Sequence, residues 1–167
     1  ITSPIYPTKS SYNDELKEIP FDVEKAKSLL TEAGWEDSNN NGTVDKMIDG
    51  ELTELEIDIN ISNANIDYIS ATTIFASVAA KAGVKINQNL LESSAFFNAL
   101  KSRDFDATFH GTTDYPFNFD PAYSWHTKGP YNYASFATPE SDALIKEVRS
   151  LIDVDKQDEM LKELQVM

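Results

Sequence analysis

The sequence predicts an α/β fold, a mostly parallel sheet with flanking helices, and three observations predict it. Leu55, Ile57, Ile59 and Ile61 alternate with Glu56, Asp58 and Asn60, the period-2 pattern of a strand with one buried face. Helical patterns surround it, at 23–33 before and at 66–82 and 94–100 after. The order strand–helix–strand–helix–strand with short joints then requires right-handed crossovers, which place the strands parallel.

Residues 1–20 carry Pro4, Pro7 and Pro20 among polar residues with no apolar period, and read as an extended lead-in on the surface. Residues 21–167 read as a single α/β lobe. The first helix, 23–33, has Asp22 as N-cap, Gly34 as stop and an apolar stripe of Ala26, Leu29, Leu30 and Ala33. A polar loop, 35–50, leads to the strand at 55–61. The helix at 66–82 is expected to place Ala71, Ile74, Phe75, Val78 and Ala82 on one side, and Gly83 ends it. Strands are expected at 84–90 and 106–110, with a short helix at 94–100 between them. Residues 111–137 are rich in aromatics, Gly and Pro and show no period; long structureless loops of this kind are often functional. Thr138-Pro139 opens a helix to about residue 151 as cap and first-turn proline, and a last helix starts near Asp155. The chain lacks an initial Met and stops inside a helical pattern, so it reads as a fragment or processed piece.

Composition removes several function classes. Among 167 residues there are 28 Asp+Glu and 14 Lys+Arg, a formal charge of −14. Such a chain repels phosphate backbones, so no nucleic-acid partner is expected, and it is also repelled by anionic lipid. There are no cysteines, which excludes disulfides, Cys-ligated zinc and thiol catalysis. No apolar run is long enough to cross a bilayer.

Three segments are candidate sites. Asp37, Asn39, Asn41 and Asp45 place oxygen donors at alternate positions around Gly42, as in the first nine positions of a calcium loop. The twelfth position is Ile48 instead of a bidentate Glu, so an Asn/Asp/Gly-rich turn without metal is the competing reading. His126 follows Trp125, with Asp114 and Asp120 nearby in sequence, and a hydrolase would use such a set; no spacing fixes its geometry. The third segment, 111–121, leaves the C-terminal end of a predicted buried strand, where open α/β sheets bind ligands. There Asp114 offers a carboxylate to a cationic group such as a free amine, and Tyr115, Phe117 and Phe119 could wall an apolar body. Alternatively the aromatics pack the loop and Asp114 caps a turn.

Four ordered stretches resemble the family 5 extracellular solute-binding proteins, the oligopeptide- and dipeptide-binding components of ABC importers. They are the helix Phe21-Asp22-Val23-Glu24-Lys25-Ala26-Lys27-Ser28-Leu29-Leu30-Thr31-Glu32-Ala33-Gly34-Trp35 and the Asp/Asn/Gly loop ending in Asp49-Gly50. Next comes the step Ala82-Gly83-Val84-Lys85-Ile86. Last is Asp104-Phe105-Asp106-Ala107, leading to Asp114-Tyr115-Pro116, Asn132-Tyr133 and the Pro139 helix. The resemblance implies a lobe of the type 2 periplasmic-binding-protein fold, here part of the C-terminal lobe. It also implies a non-enzymatic role without cofactor; weak calcium at the 37–45 loop is an expectation from that loop's spacing alone. Two lobes would close on a peptide and deliver it to a membrane permease, with the protein in the periplasm or lipid-anchored at the cell surface, and the fragment itself monomeric. In peptide-binding members an Asp after the third strand anchors the ligand amine, and Asp114 matches it. Gly111, Thr112, Thr113, Tyr115 and Phe117 would line the pocket. The chain departs from the pattern twice: Gly111 stands at a Trp position, and Thr108 at an Arg position that some members use for the ligand carboxylate. Rival readings keep the fold but bind a nickel complex or oligosaccharide, or use it for sensing or adhesion.

Overall fold

A computed structural model describes residues 3–111 and 120–167. The chain forms two compact units, one of residues 21–112 and one of residues 1–20 with 113–167. Residues 1–20, expected as a lead-in to a lobe of 21–167, group instead with residues 113–167.

In the 21–112 unit, helix α1 (Val23–Glu32) begins where the Asp22 carboxylate accepts the Lys25 amide at 2.8 Å. Its carbonyl end receives the Lys46 ammonium at 2.6 Å from the Ala33 oxygen. No residue of α1 is fully buried, and Leu29 of the expected stripe is exposed. Strands β1 (Asp45–Ile48) and β2 (Glu51–Glu54) form an antiparallel hairpin, with Ile48 opposite Glu51. The turn between them is Asp49-Gly50 with φ of 51° and 89°, the two left-handed residues of a type I′ turn.

The main sheet follows. Strands β3 (Glu56–Ser62), β4 (Lys85–Leu91) and β5 (Ala107–Phe109) lie parallel in the order β4-β3-β5. Helix α2 (Ile66–Ala79) and a 3₁₀ turn (Ala80–Ala82) join β3 to β4, and helix α3 (Ser93–Ser102) joins β4 to β5. Paired residues of the ladder share a face. Gln88, opposite Ile59, donates to the Ile69 carbonyl and the Thr72 hydroxyl of α2. Asn60, opposite Asn89, points to the other face and donates at 3.0 Å to the Asp104 carbonyl just beyond α3. The two crossovers therefore cover opposite faces.

This placement changes two expectations. Strand β3 is central, so its polar face is covered too: Asn60 is buried along with Ile59 and Ile61, and Asn89 donates to its side-chain oxygen at 3.3 Å. Helix α2 turns Thr72 inward, at 2% exposure, while Ile74 and Phe75 are 67% and 52% exposed and Ala71 also faces out. Apolar residues and short polar ones (Ser70, Thr72, Thr73, Ser77) are spread round the helix, so its hydrophobic pattern selects no face; the Thr72–Gln88 hydrogen bond fits the observed one.

In the other unit, Ile5 joins Leu144, Ile145, Val148, Leu161 and Leu164 in one cluster. Helix α4 (Ala122–Trp125) packs beside helix α5 (Pro139–Ser150), which packs on helix α6 (Val154–Leu164). Thr138 and Ser141 form a reciprocal capping box at the start of α5. Gln165 ties down the N-terminal segment: its side-chain oxygen accepts from Ser3 Oγ at 2.6 Å and the Asn13 amide at 3.1 Å, and its Nε2 donates to the Ser11 carbonyl at 2.7 Å. The expected surface lead-in is thus pinned by buried Ile5, by Tyr12 packed on the cluster, by the Gln165 bonds and by Asn13, which donates to the Lys162 carbonyl at 3.2 Å.

Candidate ligand-binding site

The C-terminal ends of β3, β4 and β5 meet the N-terminal ends of α2 and α3. Because the crossovers from β3 and β4 leave toward opposite faces, the chain parts between these two strands, and open α/β sheets bind ligands in that crevice. Short polar groups line it. Ser62 Oγ lies 3.5 Å from Ser93 Oγ. The Asn63 amide donates to the Leu91 carbonyl at 2.9 Å, and its side chain donates to Glu92 at 3.2 Å. Asn65 caps α2 by accepting the Tyr68 amide at 3.1 Å. Glu92 stands at the start of α3, where a carboxylate suits the positive end of the helix dipole.

Beyond β5, His110 is half-buried, and its ring meets Phe96 edge-on at 6.2 Å. Burial pushes its pKa below the ordinary value of 6.5, which favours the neutral ring. Gly111 comes next, and a Cβ built on it would collide with the hydroxyl oxygen of Tyr68. Tyr68 packs edge-on against Phe109, centroids 5.1 Å apart at 80°.

Of the expected pocket residues, Gly111 is placed at this edge. Thr112, Thr113, Asp114, Tyr115 and Phe117 lie outside the described residues. Thr108, at the Arg position of some relatives, donates its hydroxyl to the Asn60 carbonyl at 3.1 Å and serves the sheet. Sequence reasoning did not single out Ser62, Asn63, Tyr68 or Glu92. The signal that finds them is positional: each lies within a few residues of the end of a parallel strand.

In the 37–45 loop the oxygens turn onto the loop itself. The Asp37 carboxylate accepts the Asn41 and Gly42 amides, both at 3.0 Å. Asn39 accepts the Asn41 amide, and Asn41 accepts that of Thr43. Asp45 accepts the Ser38 amide at 3.1 Å and hydroxyl at 2.7 Å. Ile48, at the twelfth loop position, belongs to β1. Among the described residues no group of three or more His, Cys, Asp or Glu is arranged to hold a metal ion.

The histidine of the hydrolase reading sits in the other unit. His126 Nδ1 lies 3.0 Å from the Lys128 amide and accepts from it, so that nitrogen is engaged by the backbone. Asp142, 3.8 Å from it, is held by the Thr127 amide, and Asp120 pairs with Arg149 at 3.2 Å. A cavity of about 290 Å³ lies over this group. A larger one, about 410 Å³, is lined by Lys27, Trp35, Val44 and Gly83. Gly83 precedes β4, so that cavity is at the wrong end of the sheet for an open α/β ligand site, and the polar strand ends carry the stronger argument.

The doubly covered parallel sheet with its flanking helices has the type 2 periplasmic-binding-protein fold. The family model of bacterial extracellular solute-binding proteins, family 5 Middle, matches residues 1–134. The chain belongs to this family, whose members are substrate-binding proteins. It is 28% identical over 143 residues to the oligopeptide-binding protein AppA of Bacillus subtilis, covering 83% of this chain and 26% of AppA. It is 30% identical over 169 aligned positions to heme-binding protein A of Haemophilus influenzae, covering 99% of this chain and 29% of that protein. The structure of Bacillus subtilis AppA in complex with a nonapeptide superposes with a TM-score of 0.83 at 24% identity, over 99% of this chain and 33% of AppA. Brucella suis NikA in complex with Fe(III)-EDTA gives 0.83 at 22% identity, over 99% and 34%. The chain thus spans about a quarter to a third of the length of these relatives. Among the described residues no helix is long and apolar enough to cross a membrane.

Proposed function

We propose that this chain is part of the substrate-binding component of an ABC importer, acting outside the cytoplasm and binding oligopeptides between two lobes for delivery to a membrane permease. The similarity to AppA over 143 residues carries this reading. Closure on the ligand would be a population shift driven by contacts made only in the closed state. Asp114 anchors the peptide amine, and Gly111, Thr112, Thr113, Tyr115 and Phe117 line the pocket. The role is binding without catalysis or cofactor, and the 37–45 loop is a structural turn.

The test is native mass spectrometry of the full-length protein purified without added ligand. A mixture of masses matching short peptides supports the reading. A second reading, a non-peptide solute, is favoured by the 30% identity to heme-binding protein A and by the NikA complex. A single non-peptide mass would select it. Within the peptide reading, Asp114→Ala should weaken peptide binding by roughly 1.5–3 kcal/mol, the range for a charge-assisted hydrogen bond. Unchanged affinity in calorimetry would remove Asp114 from the site.

A further inference from the structure

Gly111 is not glycine for conformational reasons: its φ is outside the left-handed region, unlike Gly34, Gly42, Gly50 and Gly83. It is glycine for space, because a Cβ there would collide with the Tyr68 hydroxyl oxygen. Tyr68 is fixed at both ends of its reach. Its amide is held by the Asn65 cap at 3.1 Å, and its ring stands edge-on to Phe109 at 5.1 Å. The ring therefore lies across the end of β5, where a side chain at 111 would otherwise stand. Among the described residues its hydroxyl makes no hydrogen bond, and the residue is only partly buried. A partly buried tyrosine presents an apolar body and a polar tip, a combination suited to ligand contact.

We propose that Tyr68 is a specificity-determining residue of the ligand site. Its ring limits the subsite at the end of β5 to small side chains, and its hydroxyl hydrogen-bonds the main chain of the bound peptide. The inference rests on the peptide-binding reading above. Tyr68→Phe removes only the polar tip, and Tyr68→Ala opens the space over Gly111.

The experiment uses the full-length protein purified without added ligand. Co-purified peptides are sequenced from wild type and both variants, and thermal melts check folding. One synthetic peptide from the wild-type set then serves as the calorimetric probe. Tyr68→Phe should bind it about three- to tenfold more weakly, one neutral hydrogen bond's worth, with the same residue-size preference. Tyr68→Ala should shift the co-purified set toward bulkier side chains at one peptide position. If Tyr68→Ala does not fold, Tyr68→Phe decides alone. A wild type that carries peptides, with folded variants that keep its affinity and peptide set, overturns the role of Tyr68. A wild type that carries no peptide overturns the peptide reading, and this role with it, before any variant is compared.

Discussion

Gly83→Ala tests how the hairpin segment is held to the main sheet. Gly83 has φ of 85° and ends the 3₁₀ turn before β4. Its carbonyl accepts the Val44 amide at 2.8 Å, and its own amide donates to Ala80. A left-handed backbone costs a non-glycine residue about 1–2 kcal/mol. A Cβ at this position would also stand 2.7 Å from Val44 Cγ1 and 3.4 Å from the Val44 nitrogen. Relieving that contact costs about 1–3 kcal/mol, the range for overpacking. The expected loss is therefore about 2–5 kcal/mol, read as a lower urea midpoint at unchanged slope. Val44→Ala removes Cγ1, so Gly83→Ala in that background should cost only the backbone part, about 1–2 kcal/mol. A double-mutant cycle isolates the difference as coupling between the two sites. A single-variant cost below about 1 kcal/mol, or a cycle with no coupling, would refute the steric reasoning.

Gln165→Ala should cost about 2–3 kcal/mol, since three hydrogen bonds to Ser3, Ser11 and Asn13 are lost together. Hydrogen exchange should then show reduced amide protection over residues 5–13, and unchanged protection would separate that segment from the helical core. The His110 pKa is lowered by burial from 6.5, so the unfolded chain takes up the proton first as pH falls. The stability due to neutral His110 is present above pH 6.5 and is lost as pH falls from there through the folded-state value. His110→Gln should flatten the pH dependence of the melting temperature just below 6.5, and an identical profile would refute the assignment. Asp45→Ala leaves the Ser38 amide and hydroxyl without their acceptor and should cost about 1–3 kcal/mol. Calcium or chelator should leave the wild-type melting temperature unchanged; a calcium-dependent rise would restore the metal reading of the 37–45 loop.

Regular elements were legible where several residues repeat one signal. The alternating isoleucines located β3, Asp22 and Gly34 bounded α1, and Thr138-Pro139 opened α5. Elements resting on one or two residues were not. The β1–β2 hairpin has four-residue strands with adjacent Met47 and Ile48, so its pattern is broken, although Asp49-Gly50 is itself a hairpin signal. Helix α4 is a four-residue turn held by context. Ile5 is one apolar anchor in a segment without a period, and its burial depends on helices over a hundred residues away in sequence. The sequence pointed to one address, the end of the third strand of the sheet, whereas the topology parts the chain between β3 and β4. The side chains there were not legible, because Ser62, Asn63 and Glu92 stand at the ends of those two strands, where no repeated sequence signal marks them.

The two departures from the family pattern have one physical explanation: each position serves the protein's own packing. Thr108 spends its hydroxyl on the Asn60 carbonyl, bonding β5 to β3. An arginine there would forgo that bond. Gly111 leaves its space to Tyr68, and a tryptophan there would have to displace a ring already packed on Phe109. Under the proposed role of Tyr68, aromatic surface would come from α2 in place of the strand, and position 108 would supply no cation. A peptide held through its amine at Asp114, with no arginine at 108 to fix its carboxylate, would be read at one end and left free at the other. Co-purified peptides should then share a free amine and differ in length. Peptides of one uniform length would mean that another cation takes the role Thr108 lacks.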